Sequence, residues 1–120
     1  MNLGEVIQFK DRIQDLSEID MLYVVNKYRP ENDSADKVIT AIRELEGESQ
    51  LPVTGLINNT NLMQHTTLSD ILDGEELCKN VSRVLNIPIV YTTVEKSTGI
   101  THPFMGETII IERLVAQKWL

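Results

Sequence analysis

The feature that most constrains the fold is an uninterrupted apolar run, Met21–Val25, which is followed by the polar residue Asn26. A strand with one face in water alternates apolar and polar residues, whereas a strand buried on both faces reads as a continuous apolar run. Strands of the second kind belong to parallel sheets that are covered by helices. The run therefore predicts a buried strand over Met21–Val25 and an α/β fold around it.

Helical and strand patterns alternate along the rest of the chain. Apolar residues at steps of three and four predict a first helix with Val6, Phe9, Ile13 and Leu16 on one face. A second helix is predicted after Asp33 or Ser34, which can cap it, with Gly47 as its C-terminal stop. Thr67 and Asp70 have the spacing of a capping box at the start of a third helix.

Two further strands and a last helix complete the pattern. The strands are predicted over residues 52–58 and 87–92, and the long polar stretch 93–103 is predicted to be a loop. The last helix is predicted over residues 105–118. A short strand is the alternative there, because Ile109–Ile111 is a run of β-branched residues.

Gly74 allows two interpretations of the third helix. It falls on the apolar face that Ile71, Cys78, Val81 and Leu85 define at steps of three and four. Either the helix breaks at Asp73–Gly74, or it is continuous and the glycine lets a neighbouring element approach closely. We favour the continuous helix, since a glycine inside a helix costs only about 1 kcal/mol relative to alanine.

The element order α-β-α-β-α-β-α predicts the fold class. Strands separated by helices pair in parallel through right-handed crossovers. We therefore expect one α/β domain over residues 1–120, a three-layer sandwich with a short, mainly parallel sheet of about three strands. Two open sheet edges would remain, and these favour self-association.

Composition excludes several classes of partner. The 120 residues carry a formal charge of −7, which provides no basic surface for the phosphates of a nucleic acid. No apolar run approaches the roughly 20 residues that cross a membrane, and no signal peptide is recognisable. The single cysteine, Cys78, fits a reducing compartment. We expect a soluble cytoplasmic protein with neither a nucleic-acid nor a membrane partner.

Ligands of open α/β sheets bind beyond the carboxyl ends of the strands. Here those positions are residues 26–29, 58–61 and 92–96. Two of these segments begin with asparagine, whose amide both donates and accepts hydrogen bonds and so suits the edge of a base. The alternative is structural, because Asn58 and Asn59 also suit a turn after a strand.

No pattern in the sequence supports catalysis by this chain alone. Lys96–Gly99 lacks the preceding glycines of a phosphate-binding loop. His65 and His102 lie in polar loops without neighbouring ligands at metal-binding spacing. Cys78 lies on an apolar helix face and is expected to be a buried structural thiol. Lys27 and Arg29 could meet phosphate but are more simply solvated loop charges.

Three segments together carry a family resemblance. They read V-V-N-K-Y-R-P from Val24 to Pro30, T-G-L-I-N-N-T-N-L from Thr54 to Leu62, and I-P-I-V from Ile87 to Val90. Over about residues 1–95 the chain resembles the C-terminal half of ParA/MinD-like P-loop ATPases, the group that includes the nitrogenase iron protein. The resemblance implies the Rossmann-like half of a P-loop NTPase.

The resemblance also implies a binding site for the base of ATP. The family's adenine-contacting asparagine matches Asn59, with Asn58 as its neighbour, and the next strand's loop matches Thr92 and Thr93. The family usually has a Pro-x-Asp sequence at that second loop, and this chain departs from it. The phosphate-binding lysines and the Mg²⁺ ligands belong to an N-terminal half that is absent from this sequence.

The sequence thus leads to one principal function and one alternative. The chain is expected to form the base-side wall of an ATP pocket, to bind ATP weakly or not at all alone, and to need its missing half for Mg²⁺ and hydrolysis. Whether it belongs to an enzyme therefore depends on that half. The alternative is a small α/β interaction or regulatory domain that forms homo-oligomers through a sheet edge. A flavodoxin-like receiver fits less well, because no acidic cluster follows the first strand.

Overall fold

The computed structural model describes the backbone of residues 6–8 and all of residues 20–112. These residues form a five-stranded sheet and two helices. The strands are β1 (Val6–Gln8), β2 (Met21–Val25), β3 (Gly55–Asn58), β4 (Ile89–Glu95) and β5 (Glu107–Ile111), and the helices are α1 (Ala35–Ser49) and α2 (Leu68–Leu85). The α/β class and the strand over Met21–Val25 are confirmed.

The sheet is mainly parallel and its strands lie in chain order. β2, β3, β4 and β5 are parallel neighbours, while β1 pairs antiparallel with β2. The parallel part thus has four strands, one more than the sequence predicted. The order contains no reversal, unlike that of a flavodoxin-like sheet.

Both helices share one hydrophobic core with the same face of the sheet. α1 and α2 contact each other, and their buried residues pack with Tyr23, Leu56 and Ile89 from three adjacent strands. Right-handed crossovers between strands in sequential order place successive helices on one face. The described residues therefore form the sheet and one layer of helices, and a third layer is not tested by them.

The secondary structure of the two edge segments, residues 6–8 and 107–111, differs from the sequence prediction. Residues 6–8 form strand β1, so the predicted helix is wrong at Val6, and its other face residues, Phe9, Ile13 and Leu16, lie outside the described residues. Residues 107–111 form strand β5, so the helix predicted over 105–118 is wrong there and the strand alternative is confirmed. In both places β-branched residues pair with a sheet edge whose backbone groups need partners.

Helix α1 begins where predicted and ends later. The Ser34 hydroxyl accepts a hydrogen bond from Lys37 N, so Ser34 is the N-cap. The helix continues through Gly47, where a Cβ would have open space, and ends at Gln50 in the left-handed conformation with φ 60°. The predicted stop at Gly47 is wrong because one glycine does not end a helix whose apolar stripe is already packed.

Helix α2 confirms two sequence predictions. Asp70 N donates to Thr67 Oγ1 over 3.2 Å and Thr67 N donates to Asp70 Oδ2 over 2.8 Å, which completes the capping box. The helix is continuous from Leu68 to Leu85, so Gly74 does not break it. A Cβ on Gly74 would lie 2.5 Å from the Cβ of Thr60, and the glycine thus permits the close approach of the loop after β3.

The connection from β4 to β5 has no α-helix. After a 3₁₀ turn, Lys96–Thr98, the chain returns to the start of β5. Met105 fastens this return: its N–H donates to Glu75 Oε2 over 2.8 Å, and its carbonyl accepts from Thr92 Oγ1 over 2.8 Å. The buried carboxylate of Glu75 in α2 therefore holds the end of the connection against the helix layer.

Candidate functional site

The candidate site lies at the carboxyl edge of the parallel strands. β2 ends at Val25 and β3 ends at Asn58, and the loops that follow carry the predicted segments 26–29 and 58–61. β4 continues to Glu95, so Thr92 and Thr93 lie within the strand. The predicted loop start at residue 93 is wrong because Thr93, Val94 and Glu95 pair with the isoleucines of β5.

Asn59 contacts two neighbouring strands, β2 and β4, from the loop that follows β3. Its backbone N–H donates to the carbonyl of Val25 at the end of β2 over 2.8 Å. Its side-chain Oδ1 accepts from Thr93 Oγ1 of β4 over 2.5 Å and from Asn61 Nδ2 over 3.2 Å. Asn61 Nδ2 also donates to the Asn59 carbonyl over 2.9 Å. The structure thus brings the predicted residues Asn59 and Thr93 together, in a half-buried position.

Asn58 and Thr92 lie away from this cluster. Asn58 is fully buried, and its Nδ2 donates to the carbonyl of Ile71 in α2 over 3.1 Å while its Oδ1 accepts from Thr60 N over 3.2 Å. Thr92 is paired with Asn58 in the sheet and is also fully buried, with its hydroxyl bound to Met105. Asn58 fastens the end of β3 to α2, and Thr92 fastens β4 to the β4–β5 connection. The bond from Thr60 N to Asn58 Oδ1 also fixes the turn after β3, which is the structural role considered for Asn58.

A tyrosine that sequence reasoning missed crosses this edge. The hydroxyl of Tyr28, in the loop after β2, donates to Asp70 Oδ1 at the start of α2. This hydrogen bond is the main cause, and burial the second, that raises the pKa of Tyr28 to about 12. The same bond lowers the pKa of Asp70. The signal was an aromatic residue within the candidate segment 26–29, to which the sequence analysis assigned no role.

The loop cations near the edge are balanced by carboxylates. Lys27 Nζ lies 4.0 Å from Asp73 Oδ2, and an Arg29 guanidinium nitrogen lies 3.7 Å from Glu31 Oε1. All four side chains are more than a third exposed. This arrangement agrees with the interpretation of Lys27 and Arg29 as solvated loop charges.

Two exposed apolar side chains follow β3, and the sequence analysis did not single them out. Leu62 and Met63 are 43% and 53% exposed. Their loop is held by the buried Thr66, whose hydroxyl accepts from Leu62 N and donates to the Met63 carbonyl, each over 2.7 Å. A rigid turn therefore presents two flexible apolar side chains beside Asn61. Two apolar residues in an otherwise polar stretch were the available signal.

The remaining candidate groups lie elsewhere. Cys78 is buried in the core, and burial raises the pKa of its thiol to about 12, as expected for a structural cysteine. Lys96 lies in a 3₁₀ turn and pairs with Glu112 over 3.5 Å. His65 and His102 are exposed. Within residues 20–112 no three histidine, cysteine or acidic side chains gather as metal ligands would.

Neither helix of the described part of the chain combines the length and apolar character needed to span a membrane. Comparisons with protein-family models, with curated proteins and with solved structures find no match to this chain. The site must therefore be interpreted from its own geometry and from the resemblance in its sequence.

Proposed function

We propose that this chain is the C-terminal part of a ParA/MinD-like nucleotide-binding protein and forms the base-side wall of a purine nucleotide pocket. The observation that carries the proposal is the position of Asn59. This asparagine matches the family's base-contacting residue in sequence, and its amide lies at the carboxyl edge of a parallel sheet, fixed by Thr93 and Asn61. Ligands of open α/β sheets bind at that edge.

The roles of the four predicted residues differ within this proposal. Asn59 contacts the base and Thr93 supports it from the neighbouring strand. Asn58 and Thr92 contribute indirectly, because their buried side chains hold the sheet against α2 and the β4–β5 connection. Near the same edge, Tyr28 offers an exposed ring of the kind on which a base stacks, and Leu62 and Met63 add exposed apolar surface.

The phosphates and Mg²⁺ of the nucleotide would be held by the other half of the protein. The N-terminus of α2 is one place where an anion could bind, but the capping box uses the Asp70 N–H and holds the Asp70 carboxylate there, which repels an anion. In addition, Lys27 faces Asp73 and Lys96 faces Glu112. An isolated chain would therefore hold ATP by its base alone, and the predicted cofactor pair of ATP and Mg²⁺ requires the complete ATPase.

The sheet order suggests where the other half would join. Ligand crevices of doubly wound sheets form where the strand order reverses. From β2 to β5 the order runs in one direction only, so a reversal would arise if a further strand were added beside β2. The short antiparallel strand β1 occupies that edge, where it pairs with Met21–Tyr23.

A second candidate function is self-association through β5. This edge strand has a neighbour on one side only among the described residues, and Ile109 and Ile110 are 39% and 55% exposed. An exposed apolar edge strand is a template for pairing with another chain. The exposed edge of β5 is therefore the observation that supports the interaction-domain alternative.

Nuclear magnetic resonance titration of the chain with ATP tests the principal proposal. An amide interaction and base stacking supply a few kcal/mol, so we expect millimolar affinity, since micromolar binding requires about 8 kcal/mol. The expected shifts are centred on Asn59, Asn61 and Thr93. Asn59→Ala should weaken binding, whereas Asn80→Ala, at an exposed asparagine of α2, should not.

Two results would contradict the proposal. One is micromolar ATP binding that Asn59→Ala leaves unchanged, because the pocket would then lie elsewhere. The other is the absence of any shift at the Asn59 side-chain amide at tens of millimolar nucleotide. That concentration detects even binding with a free energy smaller than about 4 kcal/mol, which corresponds to a Kd above millimolar.

A further inference from the structure

Hydrogen bonds within the protein occupy both lone pairs of the side-chain oxygen of Asn59, Oδ1. A carbonyl oxygen offers two lone pairs. Asn59 Oδ1 accepts from Thr93 Oγ1 over 2.5 Å and from Asn61 Nδ2 over 3.2 Å, so both lone pairs are used within the protein. Among the described residues no acceptor is bound to Asn59 Nδ2, and the side chain is partly exposed. The amide therefore offers a ligand its donor and withholds its acceptor.

We infer that Thr93 determines base specificity by restricting Asn59 to hydrogen-bond donation, an inference that rests on the proposed nucleotide-binding function. An asparagine distinguishes adenine when its oxygen accepts from N6 and its nitrogen donates to N7. With Oδ1 occupied, the amide can only donate, and N7 can accept that hydrogen bond in either purine. Hypoxanthine keeps N7 but has an oxygen in place of the N6 amino group. The donor alone cannot distinguish these two purines.

Thr93 is well placed to act as such a positioning residue. It is 9% exposed and is held in the sheet by pairing between β4 and β5, so its hydroxyl has little freedom to move away. Asn61 lies outside the sheet, in the loop after β3. Removing the Thr93 hydroxyl frees one lone pair of Asn59 Oδ1, which can then accept from the N6 amino group of adenine.

The test is a comparison of AMP and IMP binding by nuclear magnetic resonance, for the unaltered chain, Thr93→Val and Thr93→Ser. Valine keeps the shape of threonine without a donor, and serine keeps the hydroxyl. The unaltered chain and Thr93→Ser should bind AMP and IMP within about twofold of each other. Thr93→Val should prefer AMP by about threefold to tenfold, the effect of one net hydrogen bond. Thr93→Ala provides the same comparison if valine disturbs the sheet.

The outcomes separate this inference from the proposed function. Equal binding of AMP and IMP by Thr93→Val and by Thr93→Ala, with shifts at Asn59, would overturn the role of Thr93 and leave the nucleotide site standing. A strong AMP preference in the unaltered chain would also overturn it. If neither nucleotide perturbs the Asn59 amide in any variant, the proposed function is wrong and the inference fails with it.

Discussion

Gly74 of α2 and Thr60 of the loop after β3 lie so close together that a Cβ added to Gly74 would be 2.2 Å from Thr60 Oγ1. That Cβ would also lie 2.6 Å from Asn58 Oδ1. The same Thr60 hydroxyl accepts from Lys27 N over 3.1 Å. A glycine on the helix thus allows α2, the loop after β3 and the loop after β2 to meet beneath the candidate site.

Replacing Gly74 should therefore destabilise the protein in spite of its helical position. Alanine would gain about 1 kcal/mol in helix propensity. Its methyl group would collide with Thr60 and Asn58, which are almost completely buried and cannot move aside, and overpacking costs about 1–3 kcal/mol or more. We expect Gly74→Ala to lower the free energy of unfolding by about 1–2 kcal/mol in urea titrations.

Gly47 provides the matched control, because a Cβ there would meet nothing within 4 Å. Gly47→Ala should raise the free energy of unfolding by about 0.5–1 kcal/mol. Equal stabilisation by both substitutions would mean that α2 and the loop after β3 are not in the contact described.

The hydrogen bond between Tyr28 and Asp70 should make stability depend on pH. The bond lowers the pKa of Asp70, so its contribution is present above the ordinary pKa of 3.8 and is lost as the pH falls through the lowered value. Because both groups lie near the surface, Tyr28→Phe should cost only about 0.5–1 kcal/mol at neutral pH. In urea titrations the difference between the two proteins should vanish in strong acid.

The alkaline limit follows from Tyr28 itself. Its pKa is raised from 10.0 to about 12, so the neutral hydroxyl stabilises the fold below pH 10 and loses this effect as the pH rises through about 12. The absorbance titration of tyrosinate should show a component near pH 12 that Tyr28→Phe removes. If the component that Tyr28→Phe removes has an ordinary midpoint, the contact with Asp70 is contradicted.

The exposed edge of β5 should make the chain associate. We expect a dimer or a larger oligomer at micromolar concentration, measured by light scattering across a dilution series. Ile110→Lys should shift the protein toward the monomer, because a charge on an edge strand opposes pairing. Val84→Lys is the control, since Val84 is 61% exposed but lies on α2. A monomer at every concentration would rule out association through this edge.

The isolated chain should not hydrolyse ATP. Phosphoryl transfer depends on holding the phosphates and Mg²⁺ in place. Within residues 20–112 no acidic or histidine cluster suited to a metal is present, and the lysines nearest the strand ends face carboxylates. A phosphate-release assay with Mg²⁺ should match the buffer control. Turnover that persists after repurification would reveal a site that the proposal lacks.

The interior of the fold could be predicted because the pattern of apolar residues along the sequence reflects which residues are buried. The apolar run Met21–Val25 indicated a buried parallel strand, and the capping candidates, Asp33 or Ser34 and then Thr67, indicated where the helices begin. The strands at the two edges could not be predicted in the same way. Residues 107–111 pair because β4 has a free edge, and a free edge is a property of the assembled sheet.

The candidate site was predictable in part, because the strand ends that carry it could be located in the sequence. Asn59 and Thr93 were both expected at the strand ends, and they form a hydrogen bond. The sequence does not distinguish Asn58 from Asn59, because adjacent residues differ only in the face of the sheet to which they point. Asn58 points to α2 and Asn59 does not. The partnership of Tyr28 with Asp70 spans 42 residues and depends on the geometry of two loops.

The attachment of the β4–β5 connection divides the protein into parts of unequal stability. β3 lies in the centre of the sheet with all its residues buried, while the first four residues of β5 are exposed. Apart from its ladder with β4, β5 is fastened through Met105 to Glu75 and Thr92. We therefore expect that opening this strand costs less than unfolding the core and that its amide hydrogens exchange by local fluctuation. A strand that opens in this way can also be exchanged between two copies of the chain, which is the route to domain swapping.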